Sequence, residues 1–215
     1  EFRRVLFRSK VYASFYPMYD FAKKIGGDKV EVTNLVPAGT EPHDWEPSAK
    51  DLAKISESDI LVYSGAGMES WIDKVDQVTK DSKLVKVEAS KGIDLIKSEH
   101  HHDEEDHEDA HEEHDHGEYD PHVWLAPQNA KIQMKNIKDA LVKADPTNKD
   151  YYEKNFETYS KKIDDLDSKF STSLKNTKSK NIVVSHEAFG YLCKAYGIKQ
   201  IGIEGLSPDS EPDAA

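Results

Sequence analysis

TNKDYYEKNFETYSKKIDDLDSKFSTSLKNTK, residues 147–178, decides how the rest of the chain is read. Within it Tyr152, Phe156, Tyr159, Ile163, Leu166, Phe170 and Leu174 recur at steps of three and four, the spacing of one face of an α-helix. About 28 residues at 1.5 Å each make a rod of about 42 Å, longer than one small domain needs. Sequence patterned as strand then helix stands on both sides of it. The stretch therefore reads as a rigid linking helix between two α/β lobes, with a coiled-coil seam as the alternative.

Upstream, residues 10–146 form the expected first lobe. Lys10 to Phe15 reads as a strand, and Pro17 opens a helix with Met18, Phe21, Ala22 and Ile25 on its inner face, stopped at Gly26-Gly27. Val30 to Val36 is a second strand, followed by a proline-stiffened loop that carries His43. Ser48 and Asp51 form a capping-box-like helix start. Ile60 to Tyr63 and Leu84 to Val87 are further strands, with a helical stretch expected over Met68 to Val78. Gly65-Ala66-Gly67 lacks both a GxGxxG and a Walker lysine, so a tight turn is expected there and not a phosphate loop. Pro127 opens a helix with Ala130, Met134, Ile137 and Leu141 inward, which Asp145-Pro146 breaks.

Downstream, residues 181–215 begin a second lobe. A strand from Ile182 to Ser185 leads into His186, then a helix with Phe189, Leu192, Cys193 and Tyr196 that ends at Gly197, then a strand from Ile198 to Ile203. The sequence ends with the second βα unit barely begun, so this lobe is expected to be incomplete. Alternating strands and helices imply parallel sheets, whose ligands gather beyond the carboxyl ends of the strands. Glu1 to Ser9, basic and apolar, match neither a signal peptide nor a strand and are expected to be a non-native segment. Any export signal then lies outside this sequence.

The acidity of the chain is local. The formal net charge is −12, and His100 to His116 alone carries nine Asp or Glu beside seven histidines, leaving −3 for everything else. Nucleic acid is an unfitting partner for such a balance. Only Ala110 in that run is neither acidic nor histidine, so the loop over residues 99–118 has no apolar face with which to build a core. Its imidazoles and carboxylates suit a divalent transition metal, zinc above all. His100, His101, His102, His107, His111, His114 and His116 are accordingly auxiliary, low-affinity metal-site candidates. A mid-chain tract interrupted by acids argues against a purification tag. Cys193 is the only cysteine, which excludes an internal disulfide and multi-cysteine zinc sites, and its apolar setting makes it a buried structural thiol. No apolar run reaches the roughly 18 to 20 residues of a membrane span.

Three separated histidines remain: His43 after the second strand, His122 between Pro121 and Trp124, and His186 directly after the first strand beyond the long helix. The runs Val36 to Ser48, Asp120 to Pro127 (Asp-Pro-His-Val-Trp-Leu-Ala-Pro) and Ser185 to Tyr191 (Ser-His-Glu-Ala-Phe-Gly-Tyr) resemble the metal-binding motifs of the zinc/manganese solute-binding proteins of ABC importers. Coverage extends from about Lys10 to Glu211. The resemblance implies two lobes joined by one long helix with the metal in the cleft between them, His43 and His122 as ligands from the first lobe and His186 from the second. It also implies a fourth, carboxylate ligand beyond residue 215, a location outside the cytoplasm, in the periplasm or lipid-anchored at the cell surface, and delivery of zinc by a monomer to a membrane permease.

Two further readings are weighed. A metallohydrolase would use the three histidines, a metal-bound water and Glu187 or Asp44 as base, but no HExxH is present. A manganese-specific binding protein or adhesin would share the fold. Manganese-importing members of the family resembled usually place a carboxylate at the position of His186, and three imidazoles favour zinc.

Overall fold

Val11 and Ala13 point to one face of the first strand and Tyr12 to the other, and this alternation sets the layers of the first lobe. In the computed structural model, residues 8–98 and 118–206 are described. Strand β1 (Ser9–Ala13) lies inside a four-stranded parallel sheet of order β2-β1-β3-β4, with β2 at Val30–Asn34, β3 at Ile60–Tyr63 and β4 at Val85–Glu88. Val11 is in register with Val32 on one side and Ile60 on the other.

Val11, Ala13, Ile60 and Val62 pack on one face against Met18, Ala22 and Ile25 of α1 (Tyr16–Gly26) and Met134, Ile137 and Leu141 of α4 (Pro127–Ala144). On the other face Leu61 packs with Ile55 of α2 (Ala49–Ser56), Trp71, and Val75 of α3 (Ile72–Val78). A parallel sheet covered on both faces is the expected form for strands this apolar. Pro17 stands in the first turn of α1, where a missing N–H costs nothing, and Gly27 closes that helix at φ 55°, a backbone that side chains resist. The Ser48–Asp51 capping box starts α2, and its hydrogen bonds from Ser48 lower the Asp51 pKa.

Helix α5 runs unbroken over Lys149–Lys175. Its first half belongs to the first lobe: Tyr152 is fully buried in the main core, with Phe156, Tyr159 and Ile163 packed at its edge. Its last turns belong to the second. Phe170 stacks at 5.4 Å on Tyr196 of α6 (Gly190–Tyr196), and the Tyr196 hydroxyl donates to Asp167 at 2.7 Å. The helix is thus a strut that packs on different lobes along its length. The two lobes are parallel-sheet structures joined by it, since β5 (Asn181–Val184) and β6 (Lys199–Gly202) pair in parallel beside α6. Val183 and Ile201 are exposed on that sheet, as is Ile203 just beyond it.

The structure departs from the sequence expectations in several places. Ser9, set aside with the first residues, is the first residue of β1 and is in register with Val30. The helix expected from Met68 begins only at Ile72. Residues 64–71 instead turn around Glu69, whose buried carboxylate accepts from the Ser64 N–H at 2.8 Å, the Gly65 N–H at 2.9 Å and the Ser14 hydroxyl at 2.6 Å. These are the backbone donors that a phosphate loop would offer a ligand, and a side chain of the same chain occupies them. Burial pushes the Glu69 pKa up to about 7 against the pull of those hydrogen bonds. Glu69→Ala would leave two backbone donors without that partner, at about 1–3 kcal/mol per buried group. The expected result is a clear drop in the urea midpoint at unchanged m-value; an unchanged midpoint would contradict the role assigned to Glu69.

Candidate metal centre

Three loops deliver the three histidines. His43 lies in the segment between β2 and α2, where Pro37, Pro42 and Pro47 restrict the backbone. Asn34 fixes the loop's start by donating to the Val36 carbonyl at 2.6 Å, and Trp45 anchors its end by packing edge-on to Trp71 at 5.5 Å. His186 follows β5 directly, beyond its carboxyl end. His122 stands just before a short 3-10 turn, Val123–Leu125, that leads into α4. There Trp124 packs edge-on against Phe15 at 4.8 Å on one side and lies 5.5 Å from the His122 ring on the other.

The rings converge. His43 Nε2 and His122 Nε2 are 3.2 Å apart, and ring centroids are separated by 5.1 Å (His43–His122), 5.3 Å (His122–His186) and 6.3 Å (His43–His186). One ligand nitrogen from each lies within 4.8 Å of the others. Nitrogens bound to one tetrahedral ion at 2.0–2.1 Å stand about 3.3–3.4 Å apart, so the His43–His122 pair already has the span of a shared ion. The nitrogen of His186 lies within 4.8 Å of both.

Asp120 determines which nitrogen His122 presents. Its Oδ1 lies 2.9 Å from His122 Nδ1 and accepts from the His122 backbone N–H at 2.9 Å, and both side chains are almost fully buried. A carboxylate at Nδ1 holds the proton there and leaves the Nε2 lone pair facing His43, the arrangement by which carboxylates orient metal-binding imidazoles. His186 is only partly buried. Burial first, and then the neighbouring His122, lower its pKa, whereas the negative charges of Glu41, Glu204 and Asp120 oppose that shift and favour a cation in the same space. A neutral imidazole is the form that binds metal.

The described residues on either side of the acidic tract pair with each other a few positions before His122. Asp120 N–H donates to the Ile96 carbonyl at 2.8 Å and Ser98 N–H to the Glu118 carbonyl at 3.0 Å, around an antiparallel bridge between Lys97 and Tyr119. The auxiliary candidates His100, His101, His102, His107, His111, His114 and His116 lie outside the described residues. Cys193 is buried, and burial raises its pKa, consistent with a structural thiol.

Asp120 and Tyr191 lie inside the motifs that carry the family resemblance, but the motifs alone assign them no role. For Asp120 a signal existed, a carboxylate two residues before a histidine. For Glu69 there was none, because its partners are two backbone N–H groups of a turn and the hydroxyl of Ser14, 55 positions away.

The sequence profile of the family described as zinc-uptake complex component A, periplasmic (ZnuA) matches residues 11–215. The chain belongs to this family. It is 48% identical over 207 residues to the high-affinity zinc uptake system protein ZnuA of Bacillus subtilis, an alignment covering 95% of this chain and 64% of that protein. The fold is shared with the Zn(II)-bound ZnuA-like domain of Streptococcus pneumoniae AdcA, at TM-score 0.80 and 37% identity over 96% of this chain and 71% of that one. It is shared too with the laminin-binding protein Lmb of Streptococcus agalactiae, described as bifunctional with adhesin and metal-transporting activity, at TM-score 0.82 and 34% identity, covering 96% and 72% of the two chains. The family is one of zinc-binding transport proteins.

Proposed function

We propose that this chain captures zinc outside the cytoplasm and delivers it to an ABC-type permease, with His43, His122 and His186 as ligands. The observation that carries the reading is the convergence of the three ring nitrogens within 4.8 Å, from residues 79 and 64 positions apart in sequence. The zinc-binding relatives support the same ion. Three imidazoles and a fourth ligand close a tetrahedron, leaving no open position on which water could be activated. That favours binding and release over hydrolysis, and a carboxylate beyond residue 215 would be the fourth ligand. His43 and His122 belong to the lobe built on the four-stranded sheet and His186 to the lobe beyond α5, so an ion held by all three draws the lobes together. Movement of one lobe against the other then opens the site for transfer. Among the described residues no helix is long and apolar enough to cross a membrane.

Zinc titration of the apoprotein against a chelator of known affinity tests the proposal. One tight equivalent is expected, followed by weaker binding, with manganese unable to displace the first zinc at equal concentration. Deleting residues 100–116 should remove weak equivalents and leave the tight one almost unchanged. Absence of a tight equivalent would overturn the reading, and its loss on the deletion would move the primary site into the tract.

A further inference from the structure

Tyr191 stands in the first turn of α6, in the second lobe, yet its side chain is buried among first-lobe residues. The ring packs with Ile93, Val123 and Ala126, and only 4% of the residue is exposed. Its hydroxyl has two partners. It donates to the Asp120 carbonyl at 2.7 Å and accepts from the Ile96 N–H at 3.2 Å. Ile96 in turn accepts from the Asp120 N–H at 2.8 Å, so one phenol holds both strands of the short bridge that leads to His122.

The neighbouring residue presses on the same group. A Cβ placed on Gly190 would stand 2.5 Å from Asp120 Oδ2, which leaves room there only for glycine while Asp120 keeps its position. Asp120 itself touches His122 twice, at the backbone N–H and at Nδ1. The contacts therefore run without a gap from α6 to Asp120 to the His122 ring. Carboxylates in this relation to a metal-binding histidine typically affect affinity 10- to 100-fold.

We infer that Tyr191 is a positioning residue: the second lobe contributes to the metal site twice, directly through His186 and indirectly by fixing, through Asp120, the orientation of His122. This rests on the zinc reading above. It adds that correct seating of α6 against the first lobe sets the geometry of a ligand belonging to the first lobe, so docking of the lobes and readiness of the site are one event.

The test uses the full chain and zinc, with affinity measured by chelator competition and folding by urea denaturation of the apoprotein. Tyr191→Phe keeps the ring in its apolar pocket and removes only the hydroxyl; zinc affinity should fall about tenfold, the lower end of the range for groups that orient a ligand. Gly190→Ala, which crowds the Asp120 carboxylate and leaves the Tyr191 hydroxyl in place, should produce a loss of similar size, and it keeps the test open should the phenylalanine variant fold poorly. The deciding arm is a double-mutant cycle. In a His122→Ala background, Tyr191→Phe should cost no further affinity for the remaining weak site, because the residue it positions is gone. A full additional loss there, or unchanged affinity in both single variants while wild type binds tightly, would overturn the inference. Failure of wild type to bind tightly would instead overturn the zinc reading itself.

Discussion

His122→Ala is expected to abolish the tight zinc equivalent, leaving binding about two orders of magnitude weaker. Four-ligand structural zinc sites bind with about 10–16 kcal/mol near neutral pH, or about 3 kcal/mol per ligand, and each 1.4 kcal/mol is a factor of ten. His122 is the most enclosed of the three histidines, at 2% exposure, and the one whose tautomer a carboxylate holds. Its removal also strips buried Asp120 of the Nδ1–H partner, so the apoprotein should lose about 1–3 kcal/mol of stability as well. His43→Ala gives the control. His43 is partly exposed in a loop, so the same loss of zinc is expected with little change in the urea midpoint. Equal destabilisation by both substitutions would contradict the different surroundings described for the two rings.

Acidification should release the ion. Zinc needs the neutral imidazole, and an ordinary imidazole takes up a proton near pH 6.5. His186 has its pKa lowered, by burial first and by His122 second, so it stays neutral to lower pH than an ordinary histidine. The sign follows directly: affinity should hold through neutral pH and fall as protons compete below it. Each imidazole that takes up a proton competes with the ion, so the loss of affinity should steepen as the pH falls further below neutral. Chelator competition across pH 5 to 8 measures it. A profile flat to pH 5 would show that imidazoles do not supply the ligands.

The parts of this structure that were legible in the sequence are those written in periodicity. Tyr152, Phe156, Tyr159 and Ile163 mark the inner face of α5 because helical spacing and burial coincide there, and Ile60 to Tyr63 reads as a strand because all four positions are apolar or aromatic. The candidate site was legible for a different reason. His43 and His122 each sit in a short motif with Pro and Trp, and His186 in Ser-His-Glu-Ala-Phe-Gly-Tyr, so family resemblance could pick out one by one the three residues that the structure brings together. What periodicity cannot express is a group held by backbone atoms or by residues far away along the chain. Glu69 looked like an ordinary polar position of an amphipathic helix starting at Met68, yet its bonds to Ser64 and Gly65 turn the chain back and delay the helix to Ile72. Tyr191 was hidden for a related reason: its bonds run to Ile96 and Asp120, 95 and 71 positions away, and no local pattern records such contacts.

In the proposed function one zinc ion is held by histidines from both lobes. A crystal structure of the chain loaded with a single equivalent of zinc, with the metal located by anomalous scattering at the zinc edge, would show it. One strong peak is expected at about 2.0–2.1 Å from nitrogens of His43, His122 and His186, with Asp120 still at His122 Nδ1. A peak bound only by histidines of residues 100–116, with the three rings free of metal, would contradict it.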